Sequence, residues 1–129
     1  MDAIILAAGN GIRTSLDYPK QFYPVNGKPC LALSLELFEN IDEISKIIIT
    51  YNEQVKDKYQ KLIEDFRITK AVLVEGGETR QKSVFNALQH VTSDKVLIHE
   101  AARPLISKDF VMRILSYENE SARRNTAFL

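Results

Sequence analysis

The chain has 129 residues, with 17 Lys and Arg balanced by 17 Asp and Glu, 45% apolar residues and 26% charged ones. That length holds one domain with a real core and not two, and the composition is that of a soluble globular protein. The absence of a basic excess argues against a general nucleic-acid binder, although it leaves room for a local basic pocket.

In chain order, residues 3–8 read as a buried strand. Residues 29–40 read as a helix, dense in Leu and with Pro29 in its first turn. Residues 46–51 contain Ile47-Ile48-Ile49, an unbroken apolar run of the kind found in strands covered on both faces. Residues 53–66 show helical spacing of Val55, Tyr59, Leu62, Ile63 and Phe66, and residues 71–74 form another short strand. Gly76-Gly77 breaks the chain before a helix over 79–91, with Val84, Leu88 and Val91 on one face. A strand over 95–99 and a helix over 107–115, capped by Ser107, follow. The run 126–129 reads as the start of a fifth strand.

Strand–helix alternation of this kind predicts an α/β fold with a mostly parallel sheet. In such sheets ligands bind at the carboxyl ends of the strands. The segments 7–20, 76–83 and 99–104 all follow predicted strands, so they are expected to gather on one edge of the sheet as a single site.

The first of these segments is the most telling. Ala7-Ala8-Gly9-Asn10-Gly11 lets the backbone approach a polyanion, and Arg13 and Lys20 follow to neutralise it. The pattern points to a nucleoside triphosphate. It is neither a P-loop, because no Gly-Lys-Ser/Thr follows, nor a dinucleotide fingerprint, because the third glycine is absent. Arginine can engage phosphate oxygens through two N–H groups, while lysine offers a movable point charge. In the second segment, Gly76-Gly77-Glu78-Thr79-Arg80 with Ser83 reads either as a nucleotide contact or as a strand-to-helix turn capped by Glu78 or Thr79. In the third, the carboxylate of Glu100 at a strand end suits Mg²⁺, with Arg103 available to orient the loop. His99 reads as a structural histidine and His90 as a helix-end residue; neither has partners at zinc spacing. The single cysteine, Cys30, excludes an intrachain disulfide and reads as a small buried hydrophobe. With no signal-peptide pattern and no apolar run of membrane-spanning length, a cytoplasmic location is expected.

Taken together, AAGNGIRT…PKQF, EGGETRQKSVFNAL and VLIHEAARP resemble the cytidylyltransferases of the methylerythritol phosphate and ribitol phosphate group, in order and spacing, over roughly residues 2–115. The resemblance implies a Rossmann-like nucleotidyltransferase fold, a three-layer sandwich formed as a single domain over 1–129, in which the C-terminal strands of the family are missing. It implies transfer of a cytidylyl group from CTP to a polyol phosphate (methylerythritol 4-phosphate or ribitol 5-phosphate), with release of pyrophosphate. By position, Arg13 and Lys20 match the catalytic cations. Ala7, Ala8, Gly9 and Gly11 match the nucleotide loop, Gly77, Glu78, Arg80 and Ser83 match the cytosine-reading segment, and Ala101 lies beside the ribose and phosphates. Glu100 matches the position of the metal ligand, expected to be Mg²⁺ or another divalent cation, where the family usually has Asp. The resemblance also implies homodimers and no nucleic-acid or membrane partner. Family members are longer, and the remaining part carries acceptor contacts, a further catalytic lysine and the dimer arm. Two other readings stand beside this one: a non-catalytic nucleotide-binding remnant, and a uridylyl- or guanylyltransferase acting on a sugar phosphate.

Overall fold

A computed structural model describes residues 1–8, 22, 24–25, 27–101, 108–121 and 126–128, with side chains described as far as residue 114. The chain runs β1 (Asp2–Leu6), β2 (Pro24–Val25), β3 (Lys28–Pro29), α1 (Cys30–Glu39), β4 (Lys46–Tyr51), α2 (Lys56–Asp65), β5 (Ala71–Glu75), α3 (Arg80–Leu88), β6 (Val96–Glu100), α4 (Lys108–Ser121) and β7 (Thr126–Phe128). A 3₁₀ turn over Glu53–Val55 leads into α2.

Five strands form a sheet in the order β5-β4-β1-β6-β7, and every pair is parallel. Ile4 of β1 lies between Ile48 of β4 and Ile98 of β6. Alternate side chains leave opposite faces of a strand. Ala3, Ile5, Ile47, Ile49 and Leu97 accordingly pack on one face with Leu31, Leu35 and Phe38 of α1, Tyr59 and Leu62 of α2, and Val111 of α4. Ile4, Leu6, Ile48 and Ile98 pack on the other face with Val84 and Ala87 of α3. The result is three layers, and it explains why Ile47-Ile48-Ile49 is apolar without alternation: both faces of β4 are covered. The helix α3 lies opposite α1 and α2. The strand order reverses between β5 and β6, and a right-handed crossover then has to pass over the other face.

The expected elements are present, with local corrections. Pro29 precedes α1 rather than entering its first turn, holding an extended ψ of 140° at the cap. The helix expected over 79–91 ends at Leu88, and Leu88 is 40% exposed rather than packed with Val84 and Val91. The fifth strand forms as β7, paired with β6. The small antiparallel pair β2–β3 is not anticipated, because each strand has only two residues and each contains a proline. The sequence signal for it is Asn26-Gly27 between the two, and Gly27 holds a φ of +81°, the left-handed region glycine favours.

Candidate active site at the carboxyl edge of the sheet

Strand order reverses direction about β1 and β6, which places a topological switch point between them, the usual ligand crevice of an open α/β sheet. The two chains leaving that point are Ala7-Ala8 and Ala101. They are joined directly, since the Ala101 N–H donates to the Leu6 carbonyl at 3.1 Å.

The third strand end to join them is β5. The Gly76 N–H donates to the Tyr51 carbonyl at 2.9 Å, carrying the β4–β5 ladder one step past the strand. A Cβ on Gly76 would collide with the Cβ of Ala8 and lie 3.1 Å from Ser83 Oγ. The glycine therefore allows the β5 loop to touch the β1 loop across the end of β4. The Gly77 N–H donates to Ser83 Oγ at 3.0 Å, folding the Gly-Gly turn back over the first turn of α3. Thr79 is the N-cap, accepting from the Lys82 N–H at 3.1 Å, so of the two expected caps Glu78 is not the one used. Glu78 is exposed, and Ser83 is buried.

One ion pair closes the arrangement. Arg80 Nε donates to Glu100 Oε1 at 2.5 Å, linking the first residue of α3 to the last residue of β6. Arg103, which the sequence makes available to orient this loop, lies outside the described residues; among those described, the partner of Glu100 is Arg80. Glu has one methylene more than Asp, and its reach spans this gap.

Beneath the loops the supports are neutral. Thr50 Oγ1 accepts from the Ala7 N–H at 3.0 Å, and the Tyr59 hydroxyl donates to the Ala7 carbonyl. Cys30 Sγ donates to the Ala101 carbonyl at 3.1 Å, and burial pushes this thiol's pKa upward. His99 is buried with Nε2 at 3.1 Å from Ser34 Oγ and its ring edge-on to Phe38, the structural role expected of it. Thr50 and Tyr59 were not singled out as site residues. A hydroxyl in an apolar strand and a tyrosine at helical spacing read as core from sequence alone.

Of the expected site residues, Ala7, Ala8, Gly77, Glu78, Arg80, Ser83, Glu100 and Ala101 lie at this edge or lead directly from it. Gly9, Gly11, Arg13 and Lys20 lie outside the described residues, as do Arg103 and Ser107. Among the described residues no three His, Cys, Asp or Glu side chains converge on a metal position. A lone carboxylate such as Glu100 fits Mg²⁺, which keeps waters and takes substrate phosphate oxygens rather than an all-protein cage.

The family model for IspD, 2-C-methyl-D-erythritol 4-phosphate cytidylyltransferase, matches residues 1–127. The chain belongs to this family. Relatives of the same name include those of Geobacillus kaustophilus, 39% identical over 107 residues, and Clostridium tetani, 39% identical over 120 residues. These matches cover 81% and 92% of this chain but 47% and 49% of the relatives, so the chain spans about half the length of the curated relatives it matches. Among solved structures, the 4-diphosphocytidyl-2C-methyl-D-erythritol synthase of Anaerococcus prevotii superposes with a TM-score of 0.79 at 26% identity, over 92% of this chain and 51% of that one. The bifunctional IspDF of Campylobacter jejuni superposes with a TM-score of 0.75 at 28% identity, over 93% of this chain and 31% of that one. IspD family members are cytidylyltransferases. No helix among the described residues is long and apolar enough to cross a membrane.

Proposed function

We propose that this chain carries the CTP-binding part of an IspD cytidylyltransferase, which transfers a cytidylyl group to 2-C-methyl-D-erythritol 4-phosphate. The observation that carries the reading is the convergence of Ala7-Ala8, Gly76-Gly77 with Ser83, and Glu100-Ala101 at the switch point of the sheet. The acceptor named by the matching family favours methylerythritol phosphate over ribitol 5-phosphate.

In this reaction an oxygen of the acceptor phosphate attacks the α-phosphorus of CTP. A new P–O bond forms, the bond between the α-phosphorus and its bridging oxygen to the β-phosphate breaks, and pyrophosphate leaves. Little covalent work falls to the protein, so rate depends on positioning and on neutralising the charge that builds on the phosphate oxygens. Arg13 and Lys20 are the cations for that task. Backbone at Ala7 to Gly11 lines the phosphates. The segment from Gly77 to Ser83, with Glu78 and Arg80, reads the base, and Ala101 lies beside the ribose. Glu100 is the carboxylate that would hold Mg²⁺, and the ion would supply further charge neutralisation. A homodimer and a cytoplasmic location go with this reading.

The experiment is calorimetric titration of the chain with CTP, UTP, GTP and ATP, each with and without Mg²⁺, followed by pyrophosphate release with the two polyol phosphates. Selective, Mg²⁺-dependent binding of CTP with methylerythritol phosphate as the preferred acceptor is expected. Binding of UTP or GTP in preference to CTP, or of no nucleotide, would overturn the reading.

A further inference from the structure

Tyr59 is fully buried on the inner face of α2, yet it is not merely core. Its hydroxyl donates to the carbonyl of Ala7, the first residue past β1. Thr50 Oγ1 takes the N–H of that same alanine at 3.0 Å. Both polar groups of Ala7 are thus engaged by side chains from two other elements. The peptide that follows is planar and trans. Turning the Ala7 carbonyl toward Tyr59 therefore turns the Ala8 N–H the opposite way, away from α2.

The same side chain makes a second contact. The ring of Phe22 meets the Tyr59 ring edge-on, with centroids 4.9 Å apart and planes at 75°. Such pairs contribute beyond the area they bury. Ala7 and Phe22 bracket residues 8–21, the segment that carries Arg13 and Lys20. One buried tyrosine touches the chain on both sides of the cation-bearing segment.

We propose that Tyr59 is a positioning residue for nucleotide binding, one that holds Ala7 and Phe22 to the same side chain and orients the Ala8 N–H. The proposal rests on the CTP-binding reading above. Filling the core does not require the hydroxyl, because phenylalanine has the same apolar body. The hydroxyl adds a fixed direction for one backbone peptide at the point where the chain leaves the sheet for the phosphates.

The segment contains its own reporters, since trypsin cuts after Arg13 and after Lys20. Tyr59→Phe keeps the ring and removes the hydroxyl; Phe22→Leu keeps an apolar side chain and removes the ring contact. Each variant is expected to speed cleavage at these two bonds by about three- to ten-fold, the change that loss of one net hydrogen bond or ring pair produces. Each is expected to weaken CTP by a similar factor while leaving the far weaker binding of cytidine unchanged, because the base is read by a different loop. Unchanged cleavage in both variants would overturn the tether. Faster cleavage with unchanged CTP affinity would overturn the positioning role, and equal weakening of CTP and cytidine would show general loosening instead and overturn it too. Failure of the wild-type chain itself to bind CTP would show separately that the functional reading is wrong, and the positioning role would fall with it.

Discussion

The two edges of the sheet are held by different chemistry. At the amino edge, carboxylates bind the backbone of the turns that feed the strands. Asp2 accepts from the Thr92 N–H at 2.8 Å, the Ser93 N–H at 3.3 Å and Ser93 Oγ at 2.8 Å, with Lys46 Nζ at 3.9 Å. Glu39, at the end of α1, accepts from the N–H groups of Thr69 and Lys70, each at 3.1 Å, and from the Thr69 hydroxyl. At the carboxyl edge the corresponding work falls to Thr50, Tyr59, Ser83 and Cys30, all neutral. Among the described residues one ion pair, Arg80–Glu100, stands there. The difference suits the phosphate site proposed above. Fixed carboxylates beside the loops would repel a triphosphate, whereas neutral donors and acceptors hold the backbone without adding to the field.

The largest effect is expected at the amino edge. Asp2→Ala removes a buried acceptor and leaves two N–H groups, a hydroxyl and the Lys46 ammonium without it, a loss of about 3 kcal/mol in urea unfolding. Burial alone would raise the Asp2 carboxyl, but the Thr92 and Ser93 hydrogen bonds and the Lys46 charge outweigh it and hold its pKa below the ordinary 3.8. Burial works against Glu39 in the same way, and its Thr69 and Lys70 hydrogen bonds with the Lys70 charge hold it below 4.5. For groups lowered in the folded state, the stabilisation is present above the unfolded values and fades as pH falls through the folded ones. Stability is therefore expected to drop in acid, starting just below about pH 5, and the Asp2→Ala variant to show a shallower drop. An identical acid profile for variant and wild type would contradict this account.

Next in size is Gly76→Ala at the carboxyl edge. The added methyl would meet the Cβ of Ala8, a neighbour with no flexible end to move aside, so one of the two loops has to retreat. A loss of about 1–3 kcal/mol is expected, with weaker CTP binding because the retreat separates the β1 and β5 loops. If Gly76→Ala bound CTP as the wild type does, the close approach would have no bearing on the site.

Smaller still is Cys30→Ala, expected to cost about 1 kcal/mol for a lost S–H donor and a small void. Burial raises the pKa of this thiol, so in the folded chain it should resist iodoacetamide at neutral pH and react only on unfolding. Rapid alkylation under native conditions would contradict the packing of α1 against Ala101.

Much of this was legible in the sequence, and what was missed follows a physical rule. Covered strands such as β4 declare themselves by unbroken apolar runs, and the motifs after β1, β5 and β6 declare themselves by glycine and charge at strand ends. The gathering of Ala7-Ala8, Gly76–Ser83 and His99–Ala101, the described parts of those segments, on one edge follows from parallel pairing. The pairs that tie the site together are long-range and leave no local pattern. Thr50 lies 43 residues from Ala7, and Tyr59 lies 52 from it. Arg80 reaches Glu100 across 20 residues, a pairing that no local spacing announces. Leu88 misled for the opposite reason: its spacing matched the packed face, but α3 ends there and the face turns outward.

The smallest effect on stability is expected from Arg80→Ala, and it is the sharpest test of the contrast between the edges. Arg80 is 57% exposed and Glu100 32% exposed, so water and salt screen their attraction. Exposed pairs of this kind contribute less than about 1 kcal/mol, and the unfolding midpoint should scarcely move. The pair nonetheless engages the carboxylate proposed for Mg²⁺, so the guanidinium and the cation compete for one group. Removing Arg80 should strengthen Mn²⁺ binding to the nucleotide-free chain by about three- to ten-fold, with Arg80→Lys intermediate because the lysine keeps the charge but not the planar guanidinium that places Nε against Glu100. Electron paramagnetic resonance of free Mn²⁺ reads this without turnover. Charge at the amino edge would then serve folding, and charge at the carboxyl edge would be held in reserve for the ligand. If Arg80→Ala instead destabilised the chain as much as Asp2→Ala and left Mn²⁺ binding unchanged, the carboxyl-edge pair would be one more structural tie, and the two edges would differ only in how many charges they carry.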